Sequence, residues 1–135
     1  MRLISTNLCK TSDIGINNNL FGGRMLSWLD EAGGIMAAEE VCSRNIVTLK
    51  MEQVLFKKPV KVNDHIRIYG QVVNIGKSSI SLFLEARRFD FDQHNEVAVC
   101  STKMTYVKID NTGKPDQINP PIKEKFKNNN IIKHI

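Results

Sequence analysis

Residues 17–43 read NNNLFGGRMLSWLDEAGGIMAAEEVCS, and this stretch decides the fold. Within it Met25, Leu26, Trp28, Leu29, Ala32, Ile35, Met36 and Val41 recur at the three- and four-residue spacing of a helix with a wide apolar face. The spacing predicts a helix from about Phe21 or Gly22 to about Ser43, and a face that wide needs a sheet to lie in. Two features do not suit a plain core helix. Gly22-Gly23 opens it, and a second pair, Gly33-Gly34, lies well inside it beside Asp30-Glu31. A mid-helix glycine costs up to about 1 kcal/mol relative to alanine. The inner pair therefore points to a close approach by backbone or ligand.

Working outward, the flanking segments supply strands. Arg2 to Leu8 is a strand candidate, and Lys10 to Asn19 is a polar loop that delivers the chain to the helix. After the helix, Ile46 to Phe56 alternates, with Val47, Leu49, Met51 and Leu55 on one face and Thr48, Lys50 and Glu52 on the other. Pro59 and Asn63-Asp64 break the pattern. His65 to Ile75 alternates and then slips near Val72, which predicts a bulge there. Gly76-Lys77 forms a hairpin turn, Ser78 to Phe89 runs back, and Glu96 to Val107 is the last strand, with Ala98, Cys100, Thr102, Met104 and Tyr106 on one face. Hairpin-linked strands pair antiparallel. One long helix with about five such strands predicts an α+β layer, a curved antiparallel sheet wrapped around a central helix, the hot-dog fold. Its exposed edges favour a dimer with a continuous sheet.

The 135 residues suit one domain. We place it at residues 1–115, followed by a basic tail at 116–135 that forms a short helix from Pro120-Pro121 or stays disordered. The net charge of +5 is mostly the tail's: residues 1–113 carry 14 Lys and Arg against 12 Asp and Glu. A nucleic-acid module needs a basic face on its folded part, so no nucleic-acid partner is expected. No apolar run is long enough for a bilayer and no secretion signal is evident, so no membrane partner is expected. Cys9, Cys42 and Cys100 are odd in number and form no CxxC pair, which fits free thiols in the cytoplasm. His65, His94 and His134 show no metal-ligand spacing, and no metal is expected.

Several motifs then fall in a recognisable order. Asn19-Leu20-Phe21-Gly22-Gly23, Leu29-Asp30, Gly33-Gly34, Val47-Thr48, Phe56-Lys57-Lys58-Pro59-Val60 and Gly76-Lys77-Ser78-Ser79 resemble the acyl-CoA thioesterases of the hot-dog superfamily. The resemblance is to the small bacterial YciA type, related to brain-type cytosolic acyl-CoA hydrolases, and covers roughly Leu3 to Lys114. It departs before Phe21, where that group often has Gly-Asp or Gly-Asn and this chain has Asn18-Asn19. The resemblance implies hydrolysis of acyl-CoA to a carboxylic acid and coenzyme A, in fatty acid metabolism. It implies no cofactor beyond the coenzyme A of substrate and product, and a homo-oligomer that is at least a dimer and, as in YciA-type relatives, a trimer of dimers.

Thioester chemistry suits these residues. The leaving thiolate has a pKa near that of cysteine, about 8.5, so little help from an acid is needed. A polarised carbonyl and an activated water or carboxylate nucleophile are needed. Unpaired N–H groups at the helix start, at Gly23 and Gly22, could form an oxyanion hole. Tight packing at the loop–helix junction would explain the same glycines. Asp30 lies seven residues on, about 10 Å along the axis on nearly the same side. By resemblance it is the catalytic acid, a general base or a nucleophile, although most aspartates are simply solvated. Glu31 competes for the role and is taken as solvated. Asn19 could cap the helix; the resemblance gives it the task of orienting carbonyl or water. Thr48 could be an ordinary strand threonine; the resemblance places such a hydroxyl across the subunit boundary, holding the attacking water. For coenzyme A the candidates are Lys57, Lys58, Gly76, Lys77, Ser78, Ser79 and Arg87, with Arg88 beside them, although each cation alone more often sits in solvent. The competing reading is a hot-dog protein that binds acyl-CoA without cleaving it. A dehydratase would need a histidine near the helix start, where there is none.

Overall fold

Alternation in four segments after the helix, of which the last three are joined by hairpins while the first crosses over to pair with the last, gives a single layer of sheet with a helix laid in it. The computed structural model describes residues 1–134, with side chains through Asn129; Ile135 and the side chains of the last tail residues, Lys133 and His134 among them, lie outside the described residues. The strands are β1 (Arg2–Leu8), β2 (Ile46–Phe56), β3 (His65–Ile75), β4 (Ser79–Asp90) and β5 (Asn95–Lys108), and the helices α1 (Gly22–Val41) and α2 (Pro120–His134). All pairings are antiparallel, in the order β1-β3-β4-β5-β2, so β1 and β2 are the edges. The expected bulge appears between Val72 and Asn74.

α1 touches every strand. It buries Met25, Leu29, Ala32, Gly33, Met36, Ala37 and Val41 against the inward side chains Ile66, Ile68, Ile80, Leu82, Leu84, Val99, Met104 and Tyr106. This is the hot-dog arrangement. The helix stops two residues before the expected Ser43, because Cys42 turns into the left-handed region at φ 55° and returns its N–H to the Ala38 and Glu39 carbonyls. Ile35, assigned from its spacing to the apolar face, is 42% exposed instead, rotated past the sheet edge.

β2 departs most from its pattern. Register shifts between Thr48 and Lys50 and between Glu52 and Leu55 break the period of two, with Gln53 at φ 53°. Met51 and Val54 pack toward the core, whereas Val47, Leu49, Leu55 and Phe56 are 45–60% exposed. The expectation of one inward face holding Val47, Leu49, Met51 and Leu55 therefore fails. The tail is more ordered than a single turn. Ile118 is buried and donates its N–H to the Lys77 carbonyl at 2.8 Å, and Ile122 and Phe126 of α2 pack on the core. Among the described residues, no helix is long and apolar enough to cross a membrane.

Candidate active site

Asp30 sits on the third turn of α1 where the helix passes the β2 edge, and its side chain is half-buried. The Thr48 hydroxyl donates to Asp30 Oδ1 at 2.7 Å. Thr48 thus points toward the helix and meets Asp30 within one chain. A second hydroxyl comes from β5. Tyr106 Oη donates to the Asp30 main-chain oxygen at 3.0 Å and lies 3.3 Å from Oδ1. Burial, and next the nearby Asp30 charge, raise the Tyr106 phenol well above its ordinary value, so it remains a protonated donor.

The glycine pair inside α1 splits into two roles. A Cβ at Gly33 would stand 2.2 Å from Tyr106 Oη and 2.9 Å from Leu84 Cδ1, so the bare backbone there admits the phenol. Gly34 has only Tyr106 Cε1 at 3.9 Å and otherwise opens onto a cavity of about 450 Å³. Asp30, Glu31, Gly34, Ile35, Thr48 and Tyr106 are among its walls. Glu31 itself is exposed, as expected.

The other half of the candidate set is at the N-terminus of α1, about two turns before Asp30. Arg24 and Met25 return their N–H groups to the Phe21 carbonyl at 2.9 and 3.2 Å, which leaves Gly22 and Gly23, among the described residues, as the unspent donors of the first turn. The bare face of Gly23 is covered by the Phe21 ring, whose Cε2 a Cβ would meet at 2.7 Å. Close packing and a free N–H coexist there. Asn19 does not cap the helix: Phe21 holds the cap position, and the Asn19 side-chain oxygen accepts from Lys61 Nζ. Asn19, Lys57 and Lys58 line a second cavity of about 440 Å³ with Leu20, Met25 and Phe56. Asp13, in the loop before α1, is buried; its carboxylate accepts the Lys10 N–H at 2.9 Å and pairs with Arg24 at 3.2 Å.

The remaining candidates divide by strand register. Ser79 pairs with Val107 and Ile46 with Lys108, so the Gly76–Ser79 hairpin stands at the Asp30 end of the sheet. There the Gly76 N–H bonds the Ser79 carbonyl, and the carbonyls of Lys77 and Ser78 accept from Ile118 and Lys108. The Lys77 ammonium is exposed. Arg87 is occupied within the chain, 2.7 Å from Glu85, 3.6 Å from Glu96 and 4.0 Å over the Tyr69 ring. Arg88 donates to the Pro59 carbonyl at 3.0 Å. Among the described residues no cluster of three His, Cys, Asp or Glu side chains could hold a metal ion.

Two residues at these ends escaped the sequence reading. Tyr106 had a signal: a tyrosine on an otherwise apolar inward face needs a partner for its hydroxyl, and that partner is Asp30. Asp13 had none, being one polar residue in a polar loop.

Comparison with known proteins places this geometry. The Thioesterase superfamily model matches residues 17–91. An acyl-CoA thioester hydrolase of Haemophilus influenzae is 32% identical over 115 residues, spanning 83% of this chain and 74% of its own. Among solved structures, a hexameric hot-dog-fold thioesterase of Campylobacter jejuni is 35% identical with a TM-score of 0.83, over 93% of this chain and 96% of its own. A hexameric broad-specificity acyl-coenzyme A thioesterase, solved as an aspartate-to-alanine variant, gives a TM-score of 0.85 at 28% identity, over 94% and 93% of the two chains.

Proposed function

Because the chain belongs to the thioesterase superfamily, we propose that it hydrolyses acyl-CoA to a free carboxylic acid and coenzyme A, with Asp30 as the reacting carboxylate. The observation that carries this is the Asp30 carboxylate at the wall of an open cavity, fixed at one oxygen by the Thr48 hydroxyl at 2.7 Å. As general base, Asp30 takes a proton from water while the water oxygen bonds to the thioester carbon. The tetrahedral oxyanion then re-forms the carbonyl, the carbon–sulfur bond breaks, and the thiolate leaves and is protonated. As nucleophile, its own oxygen makes that bond, and water then hydrolyses the anhydride. A single turnover in oxygen-18 water that leaves label in the Asp30 carboxyl group identifies the second route, in which water attacks the Asp30 carbonyl of the anhydride, since the first never places a water oxygen there.

The oxyanion needs donors, and the unspent N–H groups of Gly22 and Gly23 suit it. They stand about 10 Å from Asp30 along the same helix, too far for both to serve one carbonyl. Two antiparallel copies of α1 side by side would put Asp30 of one protomer opposite Gly23 and Asn19 of the other. The exposed apolar residues of the β2 edge suit such a pairing, and three dimers would give a hexamer of the kind the structural relatives form. Lys57 and Lys58 at one cavity, with Lys77, Ser78 and Ser79 at the sheet end near the other, supply cations and donors for coenzyme A phosphates. Arg87 contributes less, its charge being answered by Glu85 and Glu96.

Thiol release from a panel of acyl-CoA chain lengths tests the reading. Asp30→Asn is expected to lower turnover by at least about a hundredfold, the usual scale for a removed acid–base group. No thiol release by the wild type on any chain length would overturn it.

A further inference from the structure

We propose that Tyr106 is a positioning residue for Asp30: its hydroxyl, together with that of Thr48, holds Oδ1 so that Oδ2 alone meets the substrate. The proposal rests on the thioesterase reading above and adds to it a residue on another strand.

A carboxylate on a helix surface turns about its terminal torsion with little preference, because sp³–sp² torsions are broad. Its two oxygens then exchange places, and neither keeps a fixed line toward a thioester carbon. Here one oxygen is taken. Thr48 Oγ1 donates to Oδ1 at 2.7 Å from the edge strand, and Tyr106 Oη approaches the same atom to 3.3 Å from the neighbouring strand. Thr48 and Tyr106 are register partners in the β2–β5 pair, so the ladder itself spaces the two hydroxyls. Among the described residues no donor reaches Oδ2, and Asp30 is one of the walls of the cavity.

Tyr106 also fixes the backbone that carries the carboxylate. The same hydroxyl donates to the main-chain oxygen of Asp30 at 3.0 Å, so one phenol ties the Cα and the carboxylate of one residue. Such a contact on a helix flank requires that no side chain stand between. Gly33 provides this, since a Cβ there would fall 2.2 Å from Oη and 3.0 Å from Cζ. The phenol is in turn held by burial to 1% exposure and by Met104 Sδ at 3.4 Å. It cannot swing away as a surface side chain would. Thr48, by contrast, sits on an exposed and bulged edge, and it alone would be a loose clamp.

The test is a cycle of four proteins: wild type, Tyr106→Phe, Asp30→Asn and the double variant, each assayed for kcat and KM on a good acyl-CoA. Phe keeps the ring and removes only the donor. Tyr106→Phe is expected to lower kcat by about tenfold to a hundredfold, the scale of a lost hydrogen bond to a charged group, with KM within about twofold. In the Asp30→Asn background the same change is expected to leave the residual rate unaltered, because Tyr106 acts through Asp30. An equal fractional loss in both backgrounds would mark Tyr106 as merely structural and overturn the proposal, as would a wild-type kcat in Tyr106→Phe. In either case the hydrolase reading would stand on the Asp30→Asn result. Absence of turnover in the wild type would remove that reading and the proposal with it. A stability cycle checks the seat of the hydroxyl: Gly33→Ala is expected to lower Tm in both proteins and by less in Tyr106→Phe, where the 2.2 Å clash with Oη is gone while Leu84 Cδ1 at 2.9 Å and the ring carbon at 3.0 Å remain. Equal losses would show that Gly33 does not make room for that hydroxyl, and would overturn the clamp.

Discussion

Asp30 owes its setting to uncharged neighbours: the hydroxyls of Thr48 and Tyr106, and Gly33, a residue with no side chain. Asp30 stands out in the sequence because aspartate suits a helix interior poorly and a glycine pair lies one turn on, while the role of reacting acid comes from the family resemblance alone. Tyr106 could be placed on the inward face, but its partner could not, since cross-strand register is set by bulges that leave little trace in one sequence. The cysteines behave as residues whose exposure decides their chemistry. Cys9 and Cys100 are buried and Cys42 is exposed at the end of α1. A thiol reagent at pH 8 is expected to modify Cys42 alone in the native protein and all three after unfolding. Burial pushes the Cys100 thiol from its ordinary 9.0 up to about 11, against the opposing pull of Lys57. An acid whose folded value is raised favours the fold while it stays protonated. Its contribution is therefore intact below pH 9 and is lost as the pH climbs to about 11. Urea midpoints measured from pH 8 to 11 should fall less steeply for Cys100→Ala than for the wild type.

At the scale of elements, the patterns that survive are those of segments buried on one side. β1, β2 and β3 begin and end where alternation places them, and α1 follows its apolar stripe to within two residues. β2 keeps its bounds but not its faces, because an edge strand with two bulges is not held to a period of two. The tail illustrates the opposite error. Its composition suggests solvation, yet Ile118, Ile122 and Phe126 are spaced four apart and anchor α2 on the core beside Ile75 and Glu40. Truncation after Asp116 removes a buried isoleucine, a half-buried isoleucine and a half-buried phenylalanine, each worth about 1.5–3 kcal/mol of burial at most. It also frees the Lys77 carbonyl that Ile118 caps. The expected result is a lower Tm with a measurable loss of order at the Gly76–Ser79 hairpin by hydrogen exchange. An unchanged Tm would show that α2 rests on the surface without stabilising it.

For the molecule as a whole, the decisive fact is that the helix N-terminus and the Asp30 carboxylate stand about 10 Å apart along one rod. If catalysis needs both, each protomer brings the first half of one reaction centre and the second half of another. Two differently crippled proteins should then rescue each other. Asp30→Asn lacks the acid, and Gly23→Pro lacks the N–H and requires the exposed Phe21 ring to turn aside, since a Cβ there would stand 2.7 Å from its Cε2. When the two are unfolded together and co-assembled in equal amounts, half of the pairs are hybrids, in which one centre carries both lesions and the other neither. Activity is expected to return from near zero to about a quarter of the wild-type value, whereas mixing the folded parents without subunit exchange returns nothing. A protein whose centres were each contained in a single subunit would show no such recovery in either mixture.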